Sequence, residues 1–153
     1  MITCDLLTRR EIEVRIVAPL LEAFAAEVGN ERALEIVQQV ILQIAREQGR
    51  QLAQQAVGCS LAHFAIALEA WKKGDAMAME VLEQNEQRLA FNVTRCGYAD
   101  MYCQLGLAEL GKILSCGRDF ALIEGFNPEI NLTRTQTILD GAPYCDFRYE
   151  MKR

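Results

Sequence analysis

Histidine is nearly absent from this chain of 153 residues, His63 being the only one. A metal centre built from several imidazoles is therefore excluded. A Cys–His catalytic pair would require the helix carrying His63 to pack over the reactive thiol. Also missing is any run approaching the ~20 apolar residues that cross a bilayer. The N-terminal stretch carries Asp5, Glu11 and Glu13 and has no apolar core of an export signal, so a cytoplasmic location and no membrane partner are expected. A basic stripe is lacking too: 16 Lys and Arg stand against 21 Asp and Glu, a net charge of −5 spread over both halves. With nothing to neutralise phosphates, nucleic acid is not an expected partner, and an anionic small molecule would need a locally placed arginine.

What is present is ordinary globular material, 51% hydrophobic and 24% charged, enough for one domain with a core that needs no disulfide or metal for stability. No internal repeat or linker divides it, so residues 1–153 are read as a single domain; self-association into a homo-oligomer stays open. The six cysteines, Cys4, Cys59, Cys96, Cys103, Cys116 and Cys145, are expected to be thiols, metal ligands or a nucleophile rather than disulfides.

Residues 1–87 read as mainly helical. Ile12, Ile16, Leu20, Phe24 and Val28 recur every fourth residue and mark an amphipathic helix that Pro19 should kink or split. Gly29-Asn30 stops it, and Ala33, Val37, Val40, Ile41 and Ile44 mark a second. A third runs from Ser60 to Lys72-Lys73-Gly74, and Asp75 can cap a fourth through about Gln87. Residues 88–153 are mixed. Leu89–Arg95 alternates as a strand, residues 98–114 return to helical spacing, and a short helical turn follows around Asp119–Glu124. Ile130–Leu139 and Tyr144–Tyr149 read as two strands joined by Asp140-Gly-Ala-Pro143. The expected fold is α+β, an N-terminal helical layer packed on a small, mainly antiparallel sheet with a C-terminal β-hairpin.

With that loop, Leu139 pairs with Tyr144, Ile138 with Cys145, Gln136 with Phe147 and Arg134 with Tyr149. One face then holds Arg134, Gln136 and Cys145 among Ile130, Leu132, Ile138, Phe147 and Tyr149. The other, carrying Asn131, Thr133, Thr135, Thr137, Asp146 and Arg148, is polar throughout. A guanidinium on the apolar face needs an anion or a wet pocket, because burying it unpaired costs several kcal/mol. Arg134 and Gln136 therefore line a small-molecule cavity beside Cys145, or Arg134 lies near the sheet edge and snorkels out past Tyr149.

Phe91-Asn-Val-Thr-Arg-Cys96, Tyr98-Ala-Asp, Gly106–Gly111, Cys116 with Asp119, Gly125-Phe-Asn-Pro128 and above all Gly141-Ala-Pro-Tyr-Cys-Asp-Phe-Arg-Tyr149 resemble the L-2-amino-thiazoline-4-carboxylic acid hydrolase family. The similarity covers about residues 88–150, the helical half matching only in general character. A remoter similarity is to the 4-vinyl reductase domain, a small-molecule-binding module. The first resemblance implies a hydrolase that opens a small carboxylate-bearing nitrogen heterocycle, such as 2-amino-thiazoline-4-carboxylate, to a carbamoyl-cysteine. The alternative is a non-catalytic binding or sensory module.

Attack at an amidine-like carbon needs a nucleophile, a proton carrier and an anchor for the carboxylate. Cys145 is the first nucleophile because Arg134 would favour its thiolate; Cys96 and Cys116, at element ends, are the next candidates, and an activated water is the other option. Cys4, Cys59 and Cys103 are expected to pack as small hydrophobes. Asp119 is a general base or a salt-bridge partner of Arg118 or Arg148. Arg134 or Arg148 would anchor the carboxylate, with Gln136 and Asp146 as further binding candidates; a structural Asp146–Arg148 ion pair competes with the last role. No cofactor is expected on this reading. The alternative use of Cys96, Cys116 and Cys145 is a three-thiolate metal site, with Asp119 as a possible fourth ligand.

Overall fold

Asp5 starts the first helix by accepting from the Thr8 N–H at 2.8 Å, the carboxylate satisfying one of the free amides of the opening turn. In the computed structural model, which describes residues 3–153, α1 then runs Leu6–Val28 without the expected split at Pro19. Pro19 sits on an exposed side of the helix, so the carbonyl it leaves without a partner lies where water can serve it. A larger correction concerns which face is buried. Ile12, Ile16, Leu20, Phe24 and Val28 are each about half-exposed, while Arg10 and Val14 are buried and Leu7, Val17, Ala18 and Leu21 pack beside Val14. Strict four-residue spacing drifts by about 40° per step around a helix of 3.6 residues per turn, whereas the 7, 10, 14, 17/18, 21 series stays on one side.

Helix α2 (Asn30–Ala56) folds back and crosses α6 (Arg118–Phe126). A Cβ on Gly49 would lie 2.1 Å from the Leu122 carbonyl oxygen, and one on Gly125 would lie 2.0 Å from that of Arg46. Two glycines thus let the helix backbones touch. Ser60 caps α3 (Leu61–Ala67), and a 3-10 stretch over Leu68–Asp75 leads into the sheet.

The fourth helix expected from Asp75 to Gln87 is instead strand β1 (Met77–Gln84). Its Ala, Met, Glu and Leu favour a helix locally, but it pairs antiparallel with β2 (Arg88–Cys96), with irregularities at Ala78/Met79 and Val81/Glu83. Asn85 closes the hairpin by accepting from the Gln87 and Arg88 amides at 2.9 and 2.8 Å. Pairing with a buried strand outweighs the weak helical preference. The helix expected over 98–114 is broken into α4 (Gly97–Gln104), α5 (Ala108–Gly111) and a π-helical turn over Lys112–Cys116.

Strands β3 (Ile130–Thr133) and β4 (Cys145–Met151) complete a four-stranded antiparallel sheet in the order β1-β2-β4-β3. The expected C-terminal hairpin is present with a shorter first strand and a shifted register. Leu132, in place of Arg134, faces Tyr149. A shift of two residues keeps each side chain on its face, so Cys145, Phe147 and Tyr149 are buried as expected. After Thr133 the chain leaves the sheet and makes a 3-10 turn at Ile138–Asp140. The molecule is α+β. The sheet's inner face packs on α3 and α6 through Phe64, Leu122, Ile123 and Phe126. A second cluster joins α1 to α4 and α5 around Val14, Tyr102 and Leu114.

Candidate functional site

Between these two clusters lies a cavity of about 460 Å³, and Cys96, Cys116 and Cys145 all open onto it. Each thiol comes from an element end. Cys96 closes β2, and its Sγ accepts from the Ala99 N–H at 3.4 Å as α4 begins. Cys145 opens β4 and accepts from the Ile138 N–H at 3.2 Å. Cys116 ends the π-helical turn, two residues before α6 starts. All six cysteines are free; Cys4, Cys59 and Cys103, expected to pack as small hydrophobes, are exposed.

Asp119 and Arg134 also line the cavity. Arg134 Nη1 donates to Asp119 Oδ2 at 2.6 Å and Nη2 donates to the Cys116 carbonyl at 2.9 Å. Its guanidinium lies 5.1 Å from the Phe120 ring centre and 5.2 Å from that of Phe147, so it is held by two aromatic faces as well as by a carboxylate. The expected escape of Arg134 past Tyr149 does not occur; it turns inward once the chain leaves β3.

Burial sets the ionisation of the site. It pushes the Cys116 thiol up to about 12, with the Asp119 charge adding to it, and the Cys96 thiol up to about 11. Cys145 is also raised by burial, against a smaller opposing pull from the Ile138 amide and from Arg134. The thiolate expected beside Arg134 is therefore not favoured: all three cavity thiols hold their protons at neutral pH. Asp119 is raised by burial to about 6, with Arg134 pulling the other way, which leaves it mostly ionised at neutral pH and able to take a proton.

The other sequence candidates serve the framework and do not line the cavity. Gln136 donates from Nε2 to the Tyr144 carbonyl at 2.9 Å. Asp146 accepts from the Thr135 and Gln136 amides, each at 2.9 Å. Arg148 donates to the Phe91 and Phe147 carbonyls and to Asn92 Oδ1, each at 2.9 Å. The Asp146–Arg148 ion pair is thus replaced by bonds to the backbone. His63 is bonded to Ser60 Oγ at 2.6 Å at the start of α3, outside the cavity lining. Among the described residues, no group of three or more His, Cys, Asp or Glu side chains is arranged to hold a metal ion.

Sequence reasoning missed the opposite wall. Arg10, Gln48, Tyr98, Tyr102 and Arg118 line it. Tyr102 Oη and Ser115 Oγ are 2.7 Å apart. The available signal was of the kind already used for Arg134. Arg10 falls in the apolar 7, 14, 17, 21 series of α1, and Arg118 falls in the 118, 121, 122 series of α6.

The family model for L-2-amino-thiazoline-4-carboxylic acid hydrolase matches residues 9–149. The chain belongs to that family. The match takes in α1 and α2 as well as the C-terminal motifs, so both cavity walls fall inside it. No curated protein sequence matches this family member. Among solved structures, the phenol-responsive sensory domain of the transcription activator PoxR with phenol is 12% identical with a TM-score of 0.54, over 99% of this chain and 76% of that one. Trafficking protein particle complex subunit 3 from Naegleria fowleri, covalently bound to palmitic acid, is 9% identical with a TM-score of 0.55, over 95% and 96%. At such identities the likeness is one of fold.

Proposed function

We propose that this chain is a hydrolase that opens a small carboxylate-bearing nitrogen heterocycle, such as 2-amino-thiazoline-4-carboxylate, by attack at its amidine-like carbon. The observation that carries this reading is Asp119: a carboxylate held by Arg134 at 2.6 Å, raised to about 6, in a cavity with three thiols. Family membership supplies the reaction class.

Protonated thiols cannot attack unaided, so Asp119 takes the proton as the new bond forms. We assign Cys145 as the nucleophile. Its Sγ bonds to the amidine-like carbon and its proton passes to Asp119. A ring bond to that carbon then breaks, and the departing ring atom takes the proton back. Water next attacks the same carbon and restores the thiol, leaving that carbon as the carbonyl of a carbamoyl group. The sum is addition of one water. Should Asp119 instead activate water directly, the product is the same and no adduct forms. Cys96 and Cys116 then shape the pocket.

The test is hydrolysis of 2-amino-thiazoline-4-carboxylate by the wild-type protein and by Cys145→Ala. A loss of at least about a hundredfold in kcat is expected. Equal rates would remove Cys145 from the chemistry and leave water, Cys96 or Cys116 as the nucleophile; no turnover by the wild type would sink the hydrolase reading.

A second reading is a small-molecule-binding module without turnover. Its support is that this fold carries phenol in one neighbour and palmitic acid in another. A small molecule copurifying with a protein inert toward cyclic amidines favours it.

A further inference from the structure

Arg118 is 5% exposed and Arg10 is 7% exposed, and both face the cavity from the wall opposite the sheet. Four arginines line the cavity, and Arg9 among them is exposed to solvent; of the other three, two have their anion within the protein: Arg10 meets Glu13 at 2.7 Å and Arg134 meets Asp119 at 2.6 Å. Arg118 has none within 4.0 Å among the described residues. Its Nη1 donates to the Leu114 carbonyl at 3.3 Å and its Nη2 to Gln48 Oε1, both neutral acceptors. Burial, and then repulsion by Arg10, lowers it to about 10, so it keeps its charge at neutral pH. Arg118 is thus the one buried guanidinium of the cavity lining without a bonded anion among the described residues. Burying a guanidinium against neutral oxygens is costly, and a cavity-filling monoanion removes that cost.

We propose that the α1–α6 wall of the cavity is a carboxylate-binding subsite, with Arg118 pairing with the ligand's carboxylate. The orientation of the ligand rests on the hydrolase reading. Arg118 and Asp119 are consecutive on α6 and both line the cavity. A ring whose carboxylate lies on Arg118 therefore has its amidine-like carbon toward Asp119 and the thiols. Arg134 and Arg148, the anchors expected from sequence, are occupied by Asp119 and by strand carbonyls. The fit is to a small monocarboxylate; a neutral ring leaves Arg118 uncompensated.

The test is equilibrium binding, by calorimetry at neutral pH, of 2-amino-thiazoline-4-carboxylate and of 2-amino-thiazoline lacking the carboxylate. The proteins compared are wild type, Arg118→Gln and Arg118→Lys, with Cys145→Ala, which leaves the cavity charges unchanged, as background if turnover interferes. Wild type is expected to prefer the carboxylate by at least about tenfold. Arg118→Gln loses the preference, and Arg118→Lys keeps part of it. Equal affinity of wild type for the two ligands overturns the subsite, as does a folded Arg118→Gln that retains the wild-type preference. If neither variant folds, the wild-type comparison alone decides. Preference without turnover leaves the subsite standing and the hydrolase reading fallen; turnover with the preference intact in Arg118→Gln does the reverse.

Discussion

On the sheet side of the cavity, Arg134 is locked by a carboxylate at 2.6 Å, a backbone carbonyl and two aromatic rings. On the helix side, Arg118 is more deeply buried and meets only neutral oxygens. The two arginines differ in what their surroundings already supply. Where the protein provides the counter-charge, the guanidinium holds the site together and tunes Asp119. Where it does not, the guanidinium is available to a ligand. Burial alone does not tell which of them a ligand can use; the census of partners does.

The sharpest way to break this comparison is to remove each arginine. Arg134→Leu strands the buried Asp119 charge and is expected to cost about 3–5 kcal/mol, read by denaturant unfolding. Arg118→Leu removes an unmatched charge, so its stability is expected to fall within about 1 kcal/mol of wild type or above it. Equal losses in the two would show that Arg118 is paired after all.

A pH series sharpens the sheet side. Asp119 is raised from its ordinary 3.8 to about 6 by burial, so the native state binds its proton more tightly than the unfolded chain does. Its contribution to stability is therefore greatest below the ordinary range, declines as pH rises toward about 6, and is flat above it. The unfolding free energy of wild type relative to Asp119→Asn is expected to fall over that window. The activity runs the other way, rising through about pH 6 as the carboxylate becomes able to accept a proton. A rate independent of pH across that window would remove Asp119 as the base.

The smallest effect is expected outside both walls. Arg148→Ala gives up bonds to the Phe91 and Phe147 carbonyls and to Asn92. It should cost about 1–2 kcal/mol of stability and leave kcat within about twofold. A large kcat loss with stability intact would bring Arg148 back to the site.

The sheet wall was legible in the sequence because strand alternation survives a two-residue register error. Cys145 stayed on the inner face although Leu132, and not Arg134, faces Tyr149. Gln136 escaped the same logic because the chain leaves the sheet after Thr133, and alternation means nothing in an irregular segment. β1 was hidden by side chains that prefer a helix and are overruled by pairing with β2. The helix wall was missed for a different reason. A conspicuous stripe of aliphatic residues on α1 drew attention to what is its exposed face, and Arg10 disguised the face that is buried.

The most direct measurement is kcat for 2-amino-thiazoline-4-carboxylate, above pH 7, for wild type and for Asp119→Asn shown to be folded. Measurable turnover by wild type and a loss of at least about a hundredfold in the variant is the result the account predicts. Turnover of similar rate in both, or none in the wild type, would contradict it.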